Sequence, residues 1–403
     1  MEKLFIPKRD KNTRRKEKEM DKKIQSLAEA YKKRPVELKQ AKQDGKKVIE
    51  YIGHFVPEEM IRAAGAEPYF MCRGGEPEPP DAVLEYMLRF MNPLARSMMG
   101  YQLMGLDPVT PMADLIVAQQ ADCHIGRITE LMEFNELPVY KVGVPPDWKK
   151  DFAGEYYYKA LMKLKAKLEE VTGNEITDES LKEQVEYSNA INEALRKIGD
   201  LRKKDNPPIG GYEFIRLNHY SFYTDPKKTA GDLNEIYEGL KDAPGKFKEG
   251  SPRLLLAGHA VAIGDYVVPR MIEENGAMIV SDMLDEGLRW YNWDIPTEGD
   301  MMRNIWKTKY LDKVPVNIFQ PAWRERFAYI KQLIEDNKID GVVWYQLSFD
   351  EIYDMECTCL AKWMKEINMP FLKLESSYEY SREAMGPLAT RVESFIEAVK
   401  GGM

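Results

Sequence analysis

The stretch "ADLIVAQQADCHIGRI", residues 113–128, decides how this chain folds. Its first half is an apolar run typical of a strand buried on both faces, and its second half has the spacing of a helix. A cysteine and a histidine, Cys123 and His124, stand at the turn between the two. Because ligands of α/β proteins bind just past the carboxyl ends of parallel strands, the turn predicts a site at the edge of a sheet.

The same alternation of strand and helix occurs in both outer parts of the chain. In the first part, strands are predicted at "VIEYIGHF", "AEPYFMC", "ADLIVAQQ" and "LPVYKVGV", with helical patterns such as "PEEMIRAAG" and residues 82–105 between them. In the last part, strands are predicted at "RLLLAG", "AMIVSD", "DGVVWYQ" and "PFLKLES". The sequence therefore predicts an α/β fold with two Rossmann-like parallel-sheet domains joined by a helical segment.

The middle of the chain contains long amphipathic patterns and no strand signal. Asp178, followed by Glu179, is the predicted N-cap of one helix, and Gly173 is the predicted end of the helix before it. The predicted organisation is a basic N-terminal helical arm (1–45), a first α/β domain (46–150), a helical segment (151–250) and a second α/β domain (251–403).

Composition places the chain among folded proteins of enzyme size. It has 403 residues, of which 44% are hydrophobic and 31% charged, and a net charge of −8. The negative charge argues against general nucleic-acid affinity, so the basic run 8–23 is interpreted as a solvated helix or packing arm, with a nucleic-acid-binding tail as the minor alternative. The charged N-terminus and the lack of a long apolar run predict a cytoplasmic protein with no membrane contact.

Candidate site residues follow the predicted strands, where parallel sheets bind ligands. They are Cys72, Cys123, His124, His259, Asp282, residues 348–351 and Glu375. Cysteine is often buried for packing alone, so Cys72 and Cys123 are equally compatible with the core. Two thiols at one edge of a sheet nevertheless favour iron–sulfur or zinc binding.

The pair Cys357 and Cys359 is predicted to lie on a helix. Residues two apart do not share a helical face, so one of them is expected to be a core residue. No Gly-rich phosphate loop is present, which leaves a nicotinamide-dependent oxidoreductase as a weak alternative, and no G-x-S-x-G turn indicates a hydrolase.

Several segments together resemble a known family. The run "VPEEMIRAAGAEPYFMCRGG", followed in order by "LEEVTGNEITDESL", "IEENGAMIVSDMLDEGLRWY", "KIDGVVWYQLSFDE" and "ATRVESFIEAV", is similar to the smaller, beta-type subunits of 2-hydroxyacyl-CoA dehydratases and ATP-dependent benzoyl-CoA reductases. The resemblance covers residues 46–399. It implies a CoA-thioester substrate, a related partner subunit, an ATP-hydrolysing iron–sulfur activator, ketyl-radical chemistry and a [4Fe-4S] cluster held by three cysteines in the interdomain cleft.

The resemblance fails at two of the three cluster cysteines. The second falls on Cys123, but the first falls near Asn92 and the third on Asp350. Either Cys72 and one of Cys357 and Cys359 join Cys123 as iron ligands, with Asp350 and His124 completing the shell, or the subunit is cluster-free and serves as a structural or substrate-covering partner.

Two charged pairs carry over from the resemblance and are interpreted as structural. Asp282 and Arg289 are expected to pair with each other at the domain surface. Arg391 is expected to form an ion pair with Glu375.

Overall fold

Two four-stranded parallel sheets form the framework of the protein. The structure, a computed structural model, describes residues 11–402 and the side chains in that range except those of 11–17 and 382. The first sheet has the order β2-β1-β3-β4 and the second the order β6-β5-β7-β8. The strands are β1 Val48–Ile52, β2 Glu67–Phe70, β3 Leu115–Gln120, β4 Val139–Gly143, β5 Arg253–Ala260, β6 Met278–Glu286, β7 Gly341–Leu347 and β8 Phe371–Ser376.

Helices cover both sheets and fill the middle of the chain. Short 3-10 turns span Ala30–Lys32, Val83–Glu85 and Thr110–Met112, and one π-helical turn spans Thr308–Asp312. The α-helices are α1 Lys11–Ala28, α2 Arg34–Gln43, α3 Glu58–Ala63, α4 Glu78–Ala82, α5 Pro93–Leu103, α6 Cys123–Phe134, α7 Asp151–Thr172, α8 Asp178–Leu201, α9 Gly211–Tyr220, α10 Pro226–Leu240, α11 Val267–Glu274, α12 Met301–Lys307, α13 Trp323–Asp336, α14 Glu351–Glu366 and α15 Arg382–Lys400.

The predicted α/β class with two parallel-sheet domains is confirmed. Every residue of β1, β5 and β7 is buried, as expected for central strands of parallel sheets that carry helices on both faces. β6 is longer than predicted, because it continues beyond "AMIVSD" to Glu286. The domain boundaries proposed above remain a prediction.

Two local predictions are corrected. Residues 82–105 do not form one helix: α5 begins at Pro93, and the side chain of Asn92 caps it by accepting hydrogen bonds from the backbone of the first turn. Proline has no backbone N–H, so a helix does not continue into Pro93 from the residues before it. Its fixed φ angle suits the first position of a helix, and α5 begins there. The N-cap of α8 is Thr177, not Asp178, and Thr177 and Ser180 form a capping box. The predicted stop at Gly173 is confirmed, with φ of 75°.

The N-terminal helices pack against the rest of the chain where the structure describes their side chains. Ile24 of α1 is buried among apolar residues of α8, α9 and α10. Asp21 and Lys23 of the same helix form ion pairs with Lys246 and Glu235. The first ten residues, which include the start of the basic run, lie outside the described residues.

The carboxyl ends of the two sheets face each other. In each sheet the chain adds one strand on one side of a central strand and then crosses to the other side, so the switch points lie between β1 and β3 and between β5 and β7. One large apolar core includes buried residues of both sheets, such as Val117 and Leu256. A parallel bridge between Arg73 and Ile263 adds a backbone link between the domains. No helix within residues 11–402 has the length and apolar character that crossing a bilayer requires.

A buried ion cluster supports the end of β6. The guanidinium of Arg326 donates to Asp285 at 2.7 Å and to Glu356 at 2.6 Å, and its side chain is 1% exposed. Asp285 also accepts from the Tyr353 hydroxyl at 2.9 Å. One guanidinium thus neutralises two carboxylates that have little contact with water.

Replacing this arginine should destabilise the fold strongly. Arg326→Met keeps most of the apolar stem but leaves two buried carboxylates without their cation, so we expect a loss of about 3–5 kcal/mol in the free energy of unfolding. Urea denaturation measures the loss. Lys331→Met, which removes an exposed i,i+4 pair with Glu335, is the matched control and should change stability by no more than about 0.5 kcal/mol. Equal stability of the two variants would contradict this account of the cluster.

Candidate functional site

An interdomain cleft lies between the facing ends of the sheets. It contains about 630 Å³ of empty space, part of it open to solvent. Polar side chains from both domains line it, which makes it the natural ligand site of this fold. The polar lining residues are Asn92, Gln119, Asp122, His124, His259, Asp285, Glu286, Asp350 and Tyr353.

Three buried side chains meet at one end of the interdomain cleft. The Asn92 amide donates to Asp350 at 2.9 Å and lies 3.3 Å from Nδ1 of His259. The same ring nitrogen lies 3.3 Å from the Asp350 carboxylate. Each of the three residues is less than 7% exposed. They form a hydrogen-bonded cluster, called here the Asn92 cluster, that joins the cap of α5, the end of β5 and the residue before α14.

Neighbouring groups hold the Asn92 cluster in place. The ring of His259 stacks on Tyr353 with centroids 4.2 Å apart, and Tyr353 is fixed by its bond to Asp285. His124 accepts a 3.4 Å hydrogen bond at Nδ1 from the backbone N–H of Asn92. His124 therefore supports the loop around Asn92.

Glu286 and Gln119 join the two sheets across the floor of the cleft. The Gln119 amide donates to Glu286 at 2.9 Å and its oxygen accepts from the backbone N–H of Phe55 at 3.0 Å. Gly53 has φ of 84°, and a Cβ there would lie 1.8 Å from the Gln119 side chain, so only glycine fits this approach.

The carboxyl group of Glu286 keeps its proton to a higher pH than an ordinary glutamate does. Burial raises the pKa of its carboxyl to about 8, against the opposing effect of the bond from Gln119. The carboxyl is therefore mainly neutral at pH 7. A protonated carboxyl can donate a proton to a molecule bound in the cleft.

The two predicted charged pairs are wrong. Asp282 pairs with Arg202 at 2.7 Å, and both side chains are buried. Arg289 instead crosses to the first domain, where it pairs with Glu58. Burial opposes ionisation of Glu58, but Arg289 and Arg62 outweigh it and lower the pKa of that carboxyl to about 2. Arg391 donates to the backbone carbonyl of Lys373 and not to Glu375.

The four cysteines lie in different environments. Cys72 is buried in the large core that includes residues of both sheets, and Cys357 is buried in a separate core on the second sheet. Cys123 is exposed at the first turn of α6, and Cys359 is exposed in a surface groove beside Trp323. The prediction that one of Cys357 and Cys359 is a core residue is confirmed.

The residues at the expected cluster positions do not fit a [4Fe-4S] cluster bound by this chain alone. Asn92 and Asp350, where the resemblance places two thiolates, carry an amide and a carboxylate that bond to each other, and neither is the thiolate that iron–sulfur clusters require. Partial burial and the neighbouring Asp122 raise the pKa of the Cys123 thiol, which disfavours a thiolate ligand. Among the side chains that the structure describes, no group of three or more His, Cys, Asp or Glu could hold a metal ion.

Sequence reasoning missed several residues of the cleft. Gln119 falls inside a predicted strand, and Glu286 lies beyond the predicted end of β6. Asn92 enters only as the position of a missing cysteine. The sequence offers one signal for these residues: Gln119 and Glu286 are polar residues at the ends of apolar strands. Many polar residues with a purely structural role occupy the same kind of position, so this signal does not single them out.

The fold and cleft define a two-domain α/β protein with its site between parallel sheets. Residues 54–399 match the family model described as 2-hydroxyglutaryl-CoA dehydratase, D-component. The chain belongs to this family. Its cleft has Asn92 and Asp350 where the resemblance predicts two of three cysteines, although the chain has the predicted fold of two parallel sheets.

Named relatives are similar along nearly their whole length. The chain is 25% identical over 350 residues to the putative dehydratase subunit YjiM of Escherichia coli (strain K12), covering 85% of this chain and 89% of the relative. It is 23% identical to the (R)-phenyllactyl-CoA dehydratase beta subunit of Clostridium sporogenes, covering 86% and 92%. It is 21% identical to one of the benzoyl-CoA reductase subunits of Thauera aromatica, covering 88% and 91%.

The raised pKa of Glu286 makes stability depend on pH. Because the folded-state pKa is about 8 and the ordinary value is 4.5, the unfolded chain loses this proton first, and stability falls as the pH rises from about 4.5 to about 8. Glu286→Gln removes this proton loss. We expect the stability of the variant relative to wild type to increase with pH, by at most about 1.4 kcal/mol per pH unit.

Urea denaturation at pH 5, 6, 7 and 8 measures the effect. Glu85→Gln, at an exposed carboxylate, is the control and should show the wild-type pH dependence. A constant difference between Glu286→Gln and wild type across this range would mean that Glu286 is ionised in the folded protein.

Proposed function

We propose that the chain is the smaller-type subunit of an acyl-CoA dehydratase or aryl-CoA reductase complex and that it holds no iron–sulfur cluster of its own. In this proposal it pairs with a related subunit, and the complex acts on a CoA thioester. The cluster and its one-electron, ketyl-radical chemistry belong to the partner subunit, which an ATP-hydrolysing iron–sulfur activator reduces.

The Asn92 cluster carries the proposal. The positions that the resemblance assigns to the first and third cysteines are 258 residues apart in sequence, yet their side chains are in direct contact. An amide, an imidazole and a carboxylate satisfy one another there through hydrogen bonds, so the junction needs no metal to be stable. Family membership and relatives that are subunits of dehydratases and reductases support the assignment to such a complex.

Restoring the missing thiols tests the proposal directly. Wild-type protein purified without oxygen should contain no stoichiometric iron or acid-labile sulfide. The double variant Asn92→Cys/Asp350→Cys presents three thiols with Cys123, and after anaerobic reconstitution it should bind about four irons per chain. Iron and sulfide assays, with the visible absorption spectrum, measure both.

The controls separate cluster loss from misfolding. Adding Cys123→Ser to the double variant should remove the iron again, while circular dichroism should stay unchanged. About four irons in wild type, lost in Cys123→Ser, Cys72→Ser, or Cys357→Ser/Cys359→Ser, would overturn the proposal and favour the alternative in which these cysteines bind a cluster in this chain.

A patch of apolar side chains at the mouth of the interdomain cleft is the proposed contact with the partner subunit. This rim patch consists of Leu88, Phe90 and Phe349. Leu88 is 75% exposed and Phe90 71% exposed, and the rings of Phe90 and Phe349 lie 5.4 Å apart. Phe90 and Phe349 closely precede Asn92 and Asp350, so the rim patch spans both domains beside the Asn92 cluster. Exposed apolar surface of this kind is typical of a protein contact.

Removing the rim patch should weaken the complex and not the fold. We expect Leu88→Ser/Phe90→Ser to lower the affinity for a co-expressed related subunit at least about 30-fold, because each exposed apolar group loses about 1 kcal/mol or more of contact. Val36→Ser, equally exposed on α2 near the opposite ends of the strands, should bind like wild type. Co-purification and titration calorimetry measure the binding. Wild-type affinity of the double variant would exclude the rim patch as the contact.

A further inference from the structure

A second cavity lies behind the interdomain cleft. It contains about 580 Å³ of empty space, part of it open to solvent, and the side chains of His54 and Glu286 separate it from the cleft, with Nε2 and Oε2 3.9 Å apart. We call it the Lys313 cavity. Aromatic rings and polar side chains of both domains line it, including His54, Asn192, Phe222, Trp290, Trp293 and Lys313.

Two of the cationic side chains around this cavity have carboxylate partners, and a third, Lys313, has no hydrogen-bond partner. Arg289 pairs with Glu58, and Lys309 lies 3.2 Å from a carboxylate oxygen of Glu59. Lys313 is 5% exposed, and its ammonium nitrogen has no hydrogen-bond partner. Its described contacts include the faces of two aromatic rings, Trp290 and Phe55.

The carboxyl groups nearest to Lys313 are occupied elsewhere. Asp285 accepts bonds from Arg326, from Tyr353 and from the backbone of Asn317. Glu286 is bonded to Gln119 and mainly neutral at pH 7. Burial accordingly lowers the pKa of Lys313 well below its ordinary value. An anion that enters the cavity would favour the charged form of this buried lysine, because it offsets the cost of burying the ammonium group.

A second orphan nitrogen lines the same cavity. Nε2 of His54 has no hydrogen-bond partner, and the residue is 8% exposed. The His54 ring lies 4.6 Å from the ring of Trp290, whose face also contacts Lys313, so both nitrogens are arranged around one indole. A buried polar atom without a partner weakens the folded state, so a bound molecule that supplies hydrogen bonds to both nitrogens would be stabilised in this cavity.

We propose that the Lys313 cavity binds a small organic carboxylate with an apolar body. The carboxylate accepts hydrogen bonds from the Lys313 ammonium and from His54, and the apolar part lies against Phe222, Trp290 and Trp293. One unpaired amine matches a single negative charge better than a phosphate dianion, because Glu58 and Glu59 lie in the same wall and their carboxylates repel an anion in proportion to its charge. This inference does not depend on the proposed function.

Binding of matched ligand pairs tests the proposal. Titration calorimetry and saturation-transfer NMR compare phenylacetate with phenylacetamide, which has the same shape without the charge. We expect the carboxylate to bind at least about tenfold more tightly, because it forms charge-assisted hydrogen bonds. Equal binding of the amide, or complete competition by an equal concentration of chloride, would overturn the proposal.

Variants locate the binding. Lys313→Met should reduce phenylacetate binding to the level of the amide, and Lys362→Met, at an exposed lysine outside the cavity, should leave it unchanged. Because Lys313→Met removes an unpaired buried amine, we expect a thermal midpoint no lower than that of wild type. Unchanged phenylacetate binding by folded Lys313→Met would overturn the proposal. If the variant fails to fold, the comparison of carboxylate and amide on wild type decides.

The carboxylate can come from a free acid or from the far end of an acyl thioester. Butyrate and the N-acetylcysteamine monothioester of succinate, each competed against phenylacetate, distinguish the two sources. Stronger competition by butyrate assigns the cavity to a free acid, and stronger competition by the monothioester assigns it to the acyl chain of a thioester. Failure of both to compete would overturn the assignment to short carboxylates.

Discussion

Polar side chains at the facing ends of two parallel sheets must find partners once they leave water, and the arrangement of this protein depends on that constraint. The carboxyl ends of strands are where these sheets present polar groups, and here the two ends meet. Gln119 bonds to Glu286, Asn92 bonds to Asp350, and Arg289 pairs with Glu58. Each link joins one domain to the other. Because an unpartnered buried polar group costs about 1–3 kcal/mol, each link also specifies how the domains are placed.

The fold could be predicted because each strand and helix is specified by the pattern of a short, continuous stretch of sequence. All eight strands overlap stretches that are mainly apolar or aromatic, and the central strands β1, β5 and β7 are buried along their whole length. The exception is the second half of β6, which carries acidic residues. Asp282, Asp285 and Glu286 are compatible with a buried strand only because Arg202, Arg326 and Gln119 meet them there. Those partners lie 41 to 167 residues away along the chain, so a local pattern could not show them.

The predictions of the charged pairs were wrong for the same reason. Asp282 and Arg289 are close in sequence, but β6 ends between them and Arg289 lies beyond its end, so they belong to different surroundings. The helical argument about Cys357 and Cys359 succeeded because it used only residues on one helix. The resemblance described Asn92 and Asp350 only as positions where cysteines were expected, and in the structure their side chains bond to each other.

The polar groups of this junction fall into two kinds, and the difference separates structure from binding. The Asn92 cluster is complete: donors and acceptors from three segments satisfy one another, and a ligand inserted among them would first have to break those bonds. Lys313 and His54 are incomplete, since each lines the Lys313 cavity and has a buried nitrogen without a hydrogen-bond partner. An unsatisfied buried amine weakens the folded state, so the surrounding contacts must offset its cost whenever the cavity contains only water. Glu286 lies between the interdomain cleft and the Lys313 cavity. Its carboxyl group accepts a hydrogen bond from Gln119 in the cleft and lies 3.9 Å from the ring of His54, which lines the cavity. A charge bound at Lys313 would therefore act on the proton of Glu286, which couples the two cavities through one carboxyl group.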